Sequence, residues 1–96
     1  MKIAVIARLQ AHDGMGGEVV TAVEQVRPLV EAEAGTELFL AHRKQSEPDV
    51  VWIYELYTDS EAFERHKNGG ALPRIQHLLA APAVVTVAPV AAGKGS

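Results

Sequence analysis

The chain has no cysteine. That excludes disulfides, thiolate catalysis and cysteine-ligated metal centres. Aromatic residues are scarce, with one Trp, two Tyr and two Phe in 96 residues, so a wall for a flat ligand has few sources. Positive charge is not clustered: 9 Lys and Arg stand against 12 Asp and Glu, for a net charge of −3. The footprint of a nucleic-acid binder is therefore missing. No apolar run approaches the roughly 18 residues of a membrane helix. The opening "MKIAVIARLQAHD" carries one lysine and a short apolar run, but no small-residue cleavage pattern. His12, His42, His66 and His77 show no His-x-x-x-His spacing, so no metal site is expected. These absences lead to the expectation of a soluble, cytoplasmic protein with neither nucleic acid nor membrane as a partner.

What is present describes a folded domain. The chain is 48% hydrophobic and 22% charged, a globular balance. "KIAVIARLQ" reads as a strand, with Ile3, Val5, Ala7 and Leu9 on one face and Ala4, Ile6 and Arg8 on the other. After the glycines of "AHDGMGG", Val19, Val23, Val26 and Val30 form one helical stripe. Pro28 lies within that helix, which predicts a kink near Glu24–Pro28 or a break with Pro28 restarting the helix. Gly35 suits a left-handed cap, so the helix is expected to stop near Ala34. Thr36–Gln45 and Val50–Tyr57 are the second and third strands, joined as a hairpin through "SEPD". Thr58, with Glu61 three residues on, fits the capping box of a following helix. "KNGG" interrupts that helix. "ALPRIQHLLAA" forms a second short one, with Ile75, Leu78 and Leu79 inward. Pro82–Val90 is the last strand and 92–96 a loose tail, leaving one domain over 1–91. The tail's Gly-Lys-Gly-Ser lacks the spacing of a phosphate loop.

The order βαββαβ is the ferredoxin-like α+β arrangement, with a four-stranded antiparallel sheet covered by helices on one face. The second face, with Ala4 and Ile6, is also apolar and needs a cover. A second copy of the chain, placed by a two-fold axis, is the expected one.

"VVWIYELYTDSEAFERH" carries a strand ending Tyr54-Glu55-Leu56-Tyr57, then Asp59, Ala62, Phe63 and His66. With "AEAGTELFLAHR" and the order of elements, this resembles the antibiotic biosynthesis monooxygenase family of dimeric α/β barrels. The resemblance runs from Lys2 to about Val90. It implies a homodimer that oxidises a quinol or polycyclic phenol with O2, without metal or flavin. The family's haem-degrading branch uses an Asn, a Trp and a His where this chain has Ala7, Tyr57 and Gln76, which argues against haem degradation. A non-catalytic dimeric small-molecule-binding or stress-associated module of the same fold is the alternative.

The resemblance makes His66 and Glu55 the candidate catalytic residues. His66 can take a phenolic proton, because its unperturbed pKa lies near neutrality. It is otherwise a surface or satisfied histidine at a helix end. Glu55 can orient that imidazole or act as the base. Its plainer role is a salt bridge to Arg43 or Arg65. Tyr57 and Phe63 are candidates for a substrate-binding wall, or else core packing. Trp52, with Tyr54 and Leu56 on the opposite face, is either a stacking surface or part of a dimer interface. Arg43 can stabilise an oxyanion or form an ion pair. Arg8 calls for a partner across the dimer.

Overall fold

The computed structural model describes residues 1–93, and the last part of the expected tail, 94–96, lies outside them. The order is β1 (Ile3–Gln10), α1 (Gly16–Ala32), β2 (Thr36–His42), β3 (Val50–Tyr57), α2 (Ser60–Lys67), α3 (Ala71–Ile75) and β4 (Val84–Pro89). A 3-10 turn, Gln76–Leu78, follows α3. The strands form one antiparallel sheet in the order β2-β3-β1-β4. This is the ferredoxin-like α+β fold.

Alternation decides which face is covered. Val5, Ala7 and Leu9 of β1 and Val51, Ile53, Glu55 and Tyr57 of β3 are buried beneath the helices. Val19, Val23, Val26 and Val30 of α1 are buried with them. Each such valine contributes about 1.5–3 kcal/mol relative to an exposed one. In the register of the sheet, Phe39, Glu55, Val5 and Val87 make one row across it. A carboxylate thus sits where every other member of its row is apolar.

Two glycines set the approach of α1 to the rest. At Gly16, an added Cβ would stand 1.8 Å from the Pro48 carbonyl oxygen, so the helix starts in contact with the β2–β3 loop. Asp49 in that loop accepts hydrogen bonds from the Gly14 and Gly16 N–H groups, each 3.0 Å. Gly35 has φ +88°, and a Cβ there would stand 2.5 Å from Ala62 Cβ. The turn after α1 therefore lies directly on α2, which places Glu33 beside that helix.

Several local expectations shift. α1 is one continuous helix through Pro28 and is not restarted there. Glu24, whose carbonyl loses its partner to the proline, and Pro28 itself are both exposed, so water can satisfy that carbonyl. α1 stops at Ala32 because Glu33 is already extended, with ψ 133°. The N-cap of α2 is Asp59, not Thr58: its carboxylate accepts from Ala62 N–H at 2.9 Å. The Thr58 hydroxyl donates instead to Glu37 Oε2 at 2.9 Å. β2 stops at His42, short of Gln45, and β4 is shorter than Pro82–Val90. Beyond Ile75 the chain tightens to a 3-10 turn, burying Ile75 and Leu79 but only half-burying Leu78. Among the described residues, no helix is long and apolar enough to cross a membrane.

Candidate active site

The inner face of the sheet and the helices enclose a cavity of about 490 Å³. Its lining is mostly aliphatic, with Phe39 and Phe63 as its aromatic side chains and Glu55, His66 and Lys67 as its polar ones. Val85 and Val87 of the edge strand β4 line it as well and remain half-exposed, which leaves that side open.

Three elements bring the polar groups together. Glu55 projects inward from β3. Tyr57, two residues on and on the same face, donates its hydroxyl to Glu55 Oε1 at 2.5 Å. His66, on the last turn of α2, places Nε2 3.2 Å from the same Oε1. The other ring nitrogen, Nδ1, is 3.0 Å from Glu33 Oε1, at the end of α1. The His66 ring also lies beside the Tyr57 ring, with centroids 5.2 Å apart.

Burial by itself would push the His66 pKa down, but the contacts with Glu55 and Glu33, and their charges, raise it above the ordinary value. The environment therefore favours the imidazolium, which donates to both carboxylates. Burial, followed by the hydrogen bond to Glu55, pushes the Tyr57 hydroxyl far up, so it stays a neutral donor. The chemical content of the site is one buried carboxylate, held by a tyrosine hydroxyl and an imidazolium and facing an apolar chamber. Such a group can accept a proton from a ligand hydroxyl.

The structure thus places Glu55, His66 and Phe63 on the cavity, with Tyr57 buried behind them. It does not bring Trp52 or Arg43 there. Trp52 lies on the outer face of the sheet under Arg8, whose guanidinium carbon is 5.9 Å from the ring centroid. Arg8 also reaches Gln10 Oε1 at 3.4 Å. Arg43 donates to the Pro48 carbonyl at 3.0 Å, and Arg65 donates to the Ala34 carbonyl at 3.1 Å. The plainer role for Glu55, a salt bridge to either arginine, is not what forms. Glu33 is the participant that the sequence reading missed. It stands 33 residues from His66, and no local spacing connects them. The glycine two residues after it, which lets the turn rest on α2, was the available signal. Among the described residues, no group of three or more His, Cys, Asp or Glu is arranged to hold a metal ion.

No curated protein matches the chain. Solved structures do. Rv0793 from Mycobacterium tuberculosis superposes with a TM-score of 0.86 at 18% identity, covering 99% of this chain and 100% of that one. NE2512 from Nitrosomonas europaea, a protein of unknown function, gives 0.85 at 26% identity, over 97% and 92% of the two chains. A variant of SnoaB, a cofactor-independent oxygenase from Streptomyces nogalater, gives 0.82 at 15% identity, over 99% and 98%. The sequence profile described as antibiotic biosynthesis monooxygenase matches residues 2–78. The chain belongs to the antibiotic biosynthesis monooxygenase family.

Proposed function

We propose that the chain is a cofactor-independent monooxygenase that oxidises a quinol or polycyclic phenol with O2. The observation that carries this reading is Glu55, a carboxylate only 7% exposed, at the wall of a largely apolar cavity and hydrogen-bonded by Tyr57. Both nitrogens of His66 already face carboxylates, so Glu55 is the better base. The substrate hydroxyl gives its proton to Glu55, and the phenolate becomes the electron donor to O2. One atom of O2 enters the ring as a carbonyl and the other leaves as water, taking the hydroxyl and ring hydrogens. The ring supplies all the electrons, so no further reductant enters. The apolar lining contributes orientation and leaves few polar groups around the anion besides Glu55, His66 and Lys67.

The proposal includes a homodimer. On the outer face, Ile6, Leu38, Leu40, Tyr54 and Val84 are exposed large apolar side chains. Leu40, Tyr54 and Ile6 lie in one row across β2, β3 and β1, with Leu38 in the next row, a patch of the kind that marks an association surface.

The test is O2 uptake by metal-free protein with naphthols, hydroquinones and anthrones, beside its Glu55→Gln and His66→Ala variants. The reading expects uptake by the wild type and its loss in Glu55→Gln. Saturable binding of the same compounds without uptake would support the binding-module alternative instead.

A further inference from the structure

Glu33 has no part in the chemistry just described, yet it contacts a residue of that site directly. Its Oε1 is 3.0 Å from His66 Nδ1. His66 Nε2 in turn is 3.2 Å from Glu55 Oε1. Side-chain exposure rises along this line, from 6% at Glu55 through 15% at His66 to 24% at Glu33. The three residues come from β3, α2 and the end of α1.

The geometry points to Glu33 as the positioning residue of the site: through Nδ1 it fixes the His66 ring so that Nε2–H is turned to Glu55. In the imidazolium both ring nitrogens carry a proton, so an acceptor at Nδ1 fixes the plane in which Nε2–H points to Glu55. Without Glu33, the imidazole keeps its contact with Glu55 and its packing on Tyr57 and Phe39 but loses the acceptor at Nδ1 that holds the ring from the other side. The remaining charged groups near the ring are committed elsewhere. Arg65 donates to the Ala34 carbonyl, and Lys67 pairs with Glu64 at 3.1 Å. Tyr57, which packs on the ring, donates to Glu55. Among the described residues, Glu33 is the carboxylate in contact with Nδ1, and no other takes its place.

Room for this contact is built into the loop after α2. A Cβ at Gly69 would stand 2.5 Å from Glu33 Oε2. The bare backbone there lets the carboxylate lie between α2 and the turn that follows α1.

The effect on turnover rests on the oxygenase reading; the effect on His66 does not. The first experiment is therefore nitrogen-15 NMR of the His66 ring in ligand-free wild type, Glu33→Gln and Glu33→Asp, titrated with pH. The expected result is that Glu33→Gln moves the His66 titration to lower pH and leaves the neutral ring with its proton on Nε2, toward Glu55, where the wild type divides it between the two carboxylates. Glu33→Asp should restore part of both. A His66 titration and tautomer unchanged in Glu33→Gln would overturn the proposal. The second experiment is kcat and KM against pH for a phenol the wild type oxidises. Loss of this partner is expected to lower kcat with KM little changed, and to displace the pH profile. An NMR response in a protein that takes up no O2 with any phenol would leave Glu33 as the residue that positions His66 and remove the oxygenase reading.

Discussion

Tyr57 and Glu55, neighbours on one face of β3, are joined by a hydrogen bond of 2.5 Å from the phenol to Oε1. The bond is buried, with Tyr57 at 0% and Glu55 at 7% exposure. A buried carboxylate needs such a donor, because water cannot reach it to compensate. Tyr57→Phe keeps the ring that packs on Phe63 and His66 and removes only the donor. It should cost about 1.5–3 kcal/mol, the range for a hydrogen bond to a charged group. Urea unfolding at neutral pH measures it. Equal midpoints for the two proteins would mean that the phenol does not support Glu55 in solution.

Glu55→Gln is the sharper test of chemistry. The amide has the same shape and its oxygen still accepts from Tyr57, so the fold should persist. It cannot accept the proton of a substrate hydroxyl. Turnover of an accepted phenol should fall by about 10²- to 10⁴-fold, the usual size of a lost general base. Oxygen consumption under saturating substrate is the readout. A variant with near wild-type kcat would place the base elsewhere.

Much of this was legible beforehand, for reasons that can be named. The stripe Val19, Val23, Val26 and Val30 predicted the buried face of α1, because a period of four, three and four leaves no other fold for that segment. Alternation in β3 put Glu55 and Tyr57 on one face and Trp52 and Tyr54 on the other. The Glu55–His66 contact was open to the sequence because both lie on the short strand–helix junction. Glu33 was not, since it meets His66 only after α1 has crossed the sheet. The cap of α2 was misplaced by one residue because Thr58 and Asp59 are both good N-caps. Tertiary contact chose between them: Thr58 is drawn to Glu37 on β2. Alternation already put Trp52 on the face away from the helices, whereas residue type does not say which loop Arg43 serves.

The His66 environment also predicts a pH dependence of stability. Its folded pKa is raised above the ordinary 6.5 by Glu55 and Glu33, against the opposing effect of burial. A raised value means that the native state binds the proton more tightly than the unfolded chain. The stabilisation is fully present below about 6.5 and is lost as pH rises through the folded value. The difference in unfolding free energy between wild type and His66→Gln should therefore be larger at pH 6 than at pH 9. A difference that grew with pH would contradict the arrangement of charges around the ring.

The outer face of the sheet makes its own prediction. Leu40 is 55% exposed at the centre of β2, opposite Tyr54 on β3. In a homodimer through this face, Leu40→Lys would bury a charge without a partner, which costs several kcal/mol. Sedimentation at micromolar concentration should show a dimer for the wild type and a monomer for the variant. A wild type that sediments as a monomer would remove the second copy as the cover of this face.

Gly69→Ala separates the fold from the site. Gly69 does not have a positive φ, so its backbone accepts a side chain. The methyl would nevertheless fall 2.5 Å from Glu33 Oε2. That oxygen ends a flexible chain and is only partly buried, so it moves aside at little expense to the fold. The His66 carbonyl oxygen, 3.2 Å from the same position, is backbone and must give slightly, so stability should fall modestly, by about 1 kcal/mol. Moving Glu33 withdraws the acceptor from His66 Nδ1, so the His66 titration should shift to lower pH, as it should in Glu33→Gln. The double variant Gly69→Ala with Glu33→Gln should then titrate like Glu33→Gln alone, because the methyl has no carboxylate left to displace. Additive shifts in the double variant would show that Gly69 acts on His66 by another route.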